Sequence, residues 1–203
     1  MAEAPCDLQA GGVTCGGRPA PWLAVYTRPR HEQKVQQYCR SHGIAAFWPC
    51  YRSWRQWSDR RKLLLAPLFP SYVFIRPDSG QLALVPRAPG LLWVVHNRIG
   101  PVVVDPLELD AIQRLLQSGL AFDPLPNAAV GDEVEIVRGA MRGCRGWLLS
   151  KQVGRIALRV AAIQGGIRVY LPDPSWVLPI RALRAASGAP RHNRDFHVQP
   201  ELS

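Results

Sequence analysis

Pro70 and Pro77 enclose the run Ser71-Tyr72-Val73-Phe74-Ile75-Arg76, whose aromatic and β-branched residues are the composition of a strand. Proline has no ladder donor, so Pro67 and Pro70 mark where such a strand starts and Pro77 where it stops. Side chains alternate across a strand, so Tyr72 and Phe74 share one face while Val73 and Ile75 share the other. Both faces are apolar, which predicts a central strand covered on both sides. Aromatic residues in a strand belong to the core by default. Any other role for Tyr72 and Phe74 has to come from the rest of the chain.

At 203 residues the chain suits one good core, or a medium and a small domain. Its formal charge of +10 favours a polyanionic partner, nucleic acid or an anionic membrane surface, and no apolar run reaches the length of a membrane span. Residues 1–20 carry Glu3 and Asp7 and lack both a basic start and an apolar run, so they predict a flexible Gly/Ala-rich leader instead of a signal peptide. Five scattered cysteines, an odd number, predict a reducing cytoplasmic setting without a disulfide framework.

In chain order, 22–27 alternates as a first strand with Trp22, Ala24 and Tyr26 on one face. Pro29 suits the first turn of a helix that runs to about His42 and stops at Gly43. Residues 44–57 predict an aromatic second strand, turning at 58–61 and returning through 62–66 as a long hairpin with a basic tip. A short helix over 79–85 and a strand over 91–95 follow. Asp105 as N-cap, Pro106 at the first helical position and Glu108 behind them predict a helix that turns Leu109, Ile112, Leu115 and Leu116 inward and ends at Gly119. The fold class is α+β: an antiparallel-sheet α/β sandwich over 21–119. The Pro-rich segment 120–129 reads as a linker.

Beyond it the pattern changes. Short strands over 134–138, 147–151, 155–162, 167–171 and 176–180, separated by Gly or Pro turns, predict a small five-stranded closed barrel over 130–180. Residues 181–203 read as a basic polar tail. Between the first two of these strands lies Arg138-Gly139-Ala140-Met141-Arg142-Gly143-Cys144-Arg145-Gly146-Trp147, where Gly139, Gly143 and Gly146 permit positive φ and close backbone approach. That strand–glycine loop–strand unit resembles the KOW motif of SH3-like barrels in transcription elongation factors and some ribosomal proteins.

With Trp22-Leu23-Ala24-Val25-Tyr26-Thr27, the basic helix, Pro67-Leu68-Phe69-Pro70-Ser71-Tyr72-Val73-Phe74 and the Pro89-Gly90 turn in that order, the span 21–180 resembles the NusG family, N-terminal (NGN-like) domain followed by KOW domain. Arg55-Gln56-Trp57-Ser58-Asp59-Arg60 is most similar to the specialised RfaH-like and polysaccharide-operon paralogues. The resemblance implies a non-enzymatic, cytoplasmic, monomeric transcription elongation or antitermination factor. It implies that Tyr26, Pro70, Tyr72 and Phe74 bind the clamp helices of the largest RNA polymerase subunit. It also implies contact with non-template DNA or nascent RNA through Arg28, Arg30, His31 and Lys34 at the helix start, with Arg55, Arg60 and Arg61 on the hairpin. For the KOW domain it implies a ribosomal protein as partner. Rho is less favoured, because Gln164 stands where many members carry an aromatic.

The residues themselves agree with the charge. Between Arg28 and Lys62, nine Lys or Arg face only Glu32 and Asp59, and interleaved Trp54 and Trp57 suit phosphates plus base stacking. A charge run is more often a solvated face, and Ala88-Pro89 offers no side-chain donor at the turn. The alternative reading is a structural RNA-binding protein of ribosomal type, which needs the barrel and the charge but no apolar clamp cavity. Nothing predicts catalysis, a metal or a cofactor: Cys39 and His42 have ligand-like spacing without a second pair, and the glycine loop lacks the Lys-Ser/Thr of a phosphate-binding loop.

Overall fold

A computed structural model describes residues 14–15, 18–56, 61–125, 132–150, 155–160, 163 and 165–180. The expected tail at 181–203, residues 58–60 of the expected hairpin turn at 58–61 and Gln164 lie outside them, as do most of the expected leader and residues 126–129 of the linker. Within 1–20, β1 (Thr14–Cys15) pairs with β2 (Arg18–Pro19).

The first main sheet runs in the order β4 (Ala45–Phe47), β7 (Tyr72–Arg76), β3 (Trp22–Thr27), β8 (Leu91–Val94), with β9 (Val103–Val104) also on β3. β7 is thus central, as its two apolar faces require. On one face Leu23, Val25, Val73 and Ile75 pack with Val35 and Cys39 of α1 (Glu32–Ser41) and with Val85 of the 3-10 helix Leu82–Arg87. On the other, Trp22, Ala24, Phe47 and Phe74 pack with Leu109, Ile112 and Leu115 of α2 (Pro106–Ser118). Each of these aliphatic side chains is worth about 1.5–3 kcal/mol of burial, so both layers hold the sheet.

Local signals set the helix ends. The Asp105 carboxylate accepts from the Leu107 amide at 2.9 Å, Pro106 opens α2, and Gly119 closes it at φ 70. Gly43 closes α1 at φ 73. At the other end of α1 the expectation shifts: the helix begins at Glu32 and not around Pro29, because Arg30 adopts a left-handed φ of 65. The long second strand is also divided. Pro49 breaks it into β4 and β5 (Cys50–Gln56), and β5 pairs with β6 (Arg61–Pro67) in a separate two-stranded ribbon.

The second sheet has six strands in the order β10 (Phe122–Leu125), β14 (Gly165–Tyr170), β13 (Arg155–Val160), β12 (Arg145–Ser150), β11 (Glu133–Ile136), β15 (Val177–Pro179). The five expected strands are present, but the expected closed barrel is not found. β10, from the segment read as linker, occupies the outer edge of β14 over four residue pairs. No pairing among the described residues joins β10 to β15. α2 also packs against β13, so one apolar cluster includes Leu109 and Ile112 together with Ile156, Leu158 and Val169. Across this contact Arg114 Nη1 donates to the Arg142 carbonyl at 3.1 Å, and the Phe122 and Tyr51 rings meet edge to face at 5.3 Å.

One cysteine expectation is corrected. Cys50 is disulfide-bonded, whereas Cys39 and Cys144 are free and buried. No helix among the described residues is long and apolar enough to cross a membrane.

Candidate functional site

Among the described residues, the face of the first sheet that α2 covers is only half covered. Its lower part, Trp22, Ala24 and Phe74, is buried. Its upper part is a row of three aromatics contributed by three neighbouring strands. Antiparallel register sets Tyr72 of β7 opposite Tyr26 of β3, and Tyr26 opposite Trp93 of β8. Directly opposed residues lie close enough for their side chains to touch. The Tyr26 and Tyr72 rings meet edge to face at 5.1 Å, and Tyr26 and Trp93 stack at 4.6 Å. Both tyrosines are half-buried, while Trp93 is 54% exposed. Burial, with Tyr26 adding to it, pushes the Tyr72 hydroxyl above its ordinary pKa.

A bulge decides which β8 residue joins the row. Val94 pairs with Val25 and Trp93 with Tyr26, yet the next partner of Thr27 is Leu91, so Leu92 is the extra residue. Val94 and Leu91 both turn to the α1 side, and Trp93 alone joins the aromatics. The segment 91–95 reads as a strand from sequence, but nothing in that reading marks Trp93. Only register could.

Of the residues expected to form a protein-binding surface, Tyr26 and Tyr72 are together in the row. Pro70 is exposed in the turn before β7. Phe74 is 0% exposed and packs against Phe47 and Phe69, so it offers no surface and supports the row from below.

The basic turn lies at the same end of β3. Arg28, Pro29, Arg30 and Lys34 are exposed, and His31 is half-buried. The Arg28 amide donates to the Gly90 carbonyl at 2.8 Å, tying this turn to the start of β8. Gly90 has φ 95, and a Cβ there would lie 2.6 Å from that of His31, so the approach needs glycine on both counts. His31 thus lies close against Gly90. In the β5–β6 ribbon Arg55 pairs with Lys62 and Arg61 with Gln56, while Arg60 is outside the described residues.

In the glycine loop, Gly139 and Gly143 have φ 76 and 83, and the Gly143 amide donates to Ile136 O at 2.7 Å. A Cβ on Gly146 would lie 2.7 Å from the Ala157 carbonyl across the sheet. The pair Cys39 and His42 diverges. The thiol is buried in the α1 core, and the imidazole lies on Tyr38 with Nδ1 donating to the Tyr38 carbonyl at 2.8 Å.

What the arrangement can do is present an aromatic strip, with exposed cations in the turn at the same end of β3, to a macromolecular surface. The class defined by the fold is a mixed α/β protein, mostly strands with few helices. Residues 20–113 match the family model described as NusG: Transcription termination factor nusG. The chain is also similar to a solved structure, described as "Domain interaction in Thermotoga maritima NusG". That match is 21% identical, covers 79% of this chain and 97% of that one, and has a TM-score of 0.43. No curated protein matches the chain.

Proposed function

We propose that this chain is a non-enzymatic transcription elongation or antitermination factor of the RfaH-like kind that rides on RNA polymerase. Its N-terminal domain, 21–119, docks on the clamp helices of the largest subunit and suppresses pausing or termination. The observation that carries this reading is the half-open Tyr72–Tyr26–Trp93 row, which continues the sheet face whose Trp22, Ala24 and Phe74 are buried. Rigid aromatics give large contact area at small entropic cost, which makes them typical interface anchors. Arg28, Arg30 and Lys34 beside the row suit the phosphates of non-template DNA or nascent RNA. The second unit, 130–180, serves as a KOW-type domain that recruits a further partner, a ribosomal protein in preference to Rho.

The deciding experiment is affinity purification of the full chain, wild type and Tyr72→Ala, followed by identification of the bound complex. Polymerase bound by the wild type and lost from the variant supports the reading. Ribosomal subunits bound equally by both would replace it with a structural RNA-binding role.

A further inference from the structure

The proposed docking face depends on the corner where the chain enters β7, and a buried carboxylate sits in that corner. Phe69-Pro70-Ser71-Tyr72 forms a tight turn closed by the Tyr72 amide donating to the Phe69 carbonyl at 3.2 Å. Pro70 at its second position and a positive φ of 66 at Ser71 fit a type II turn, in which the third position favours glycine. Serine occupies it instead. An L-residue in this sparsely populated region persists only where its surroundings over-determine it.

Those surroundings are specific. The Ser71 amide is buried and donates to Glu32 Oε1 at 2.9 Å. The Ser71 carbonyl accepts from the Thr27 amide at 2.8 Å. One residue, Ser71, thus joins the first turn of α1, the end of β3 and the start of β7. Glu32 is only 4% exposed, which is rare for a glutamate and costly unless the carboxylate is hydrogen-bonded. Its place at the start of α1 also suits the positive end of the helix dipole. Among the described residues, Arg30 is the other non-glycine residue with positive φ, at φ 65, two residues before Glu32.

We infer that Glu32 is the positioning residue of the docking face. By holding the Ser71 amide it fixes the rotation of β7 at Tyr72, and with it the edge-to-face contact on Tyr26. The same carboxylate lies in the first turn of α1, directly after the turn that carries Arg28 and Arg30. Glu32 touches no partner itself. This inference rests on the proposed polymerase contact for its affinity readout, but its structural half is independent of it.

The test uses the full chain with Glu32→Gln, which keeps an acceptor oxygen, and Glu32→Ala, which removes it. Amide exchange at Ser71 and Tyr72 and the ring resonances of Tyr26 and Tyr72 are followed by NMR beside affinity for a clamp-helix fragment. Glu32→Ala should lose Ser71 protection and shift both rings while Val73 and Ile75 stay protected, and its affinity should fall about tenfold. Glu32→Gln should keep the protection and stay within about twofold of wild type. Unchanged Ser71 protection in Glu32→Ala, protection lost evenly across β7, or equal losses in both variants would overturn the inference. If the wild type fails to bind the fragment, the proposed function falls, and the exchange and ring data still decide what Glu32 positions.

Discussion

Tyr26 and Trp93 stack across adjacent strands with ring centroids 4.6 Å apart and planes inclined by 18°. One face of each ring is satisfied by the other, and Trp93 still leaves 54% of its surface open. Folding therefore gains little from the outer half of the indole, and a partner would gain much. Trp93→Ala should shift the thermal midpoint slightly and weaken binding to a clamp-helix fragment about thirtyfold, the cost of losing an aromatic anchor worth about 2 kcal/mol. A large drop in midpoint with normal affinity would make Trp93 a structural residue.

Neighbouring residues of β7 should separate stability from binding. Ile75 is 0% exposed on the α1 side, so Ile75→Ala should cost about 2–5 kcal/mol of stability and spare affinity in the folded fraction. Tyr72→Ala, on the half-open side, should do the reverse. Denaturant unfolding and titration of each variant measure both quantities. If Tyr72→Ala unfolds early yet binds normally, the row is core.

The basic turn makes an electrostatic prediction. Arg28, Arg30 and Lys34 are exposed and close in sequence. Replacing all three by alanine should remove roughly three phosphate contacts and lower the log–log salt slope of single-strand binding by about two to three. An unchanged slope would make them a solvated face.

Cys39 supplies a pH test. Burial pushes its thiol from 9.0 up to about 11 in the fold, so the folded chain holds this proton more tightly than the unfolded one. The contribution is intact below pH 9 and is lost as pH rises through about 11, on the order of 2–3 kcal/mol in all. Stability of the wild type should therefore fall over that window more steeply than that of Cys39→Ala. Parallel slopes would show that the thiol does not titrate there. At neutral pH Cys39 should also resist alkylation until the protein unfolds.

What sequence alone determined was local. The strand at Trp22–Thr27, the Asp105–Pro106 start of α2, the stops at Gly43 and Gly119 and the two faces of Tyr72–Ile75 depend on φ preferences and on periodicity. A residue and its near neighbours contain that information. Tertiary structure decided which faces are covered and which residues meet. Alternation sets Phe74 beside Tyr72, but only the placement of Phe47, Phe69 and α2 buries the first and leaves the second half open. Trp93 reaches Tyr26 through a register containing a bulge, and Glu32 reaches Ser71 across 39 positions of chain. The same applies to β10, whose Pro-bearing segment reads as a connector until β14 offers it an edge. Pairings between distant segments are chosen by the summed burial and hydrogen bonding of the whole fold, and no short window of sequence contains that sum.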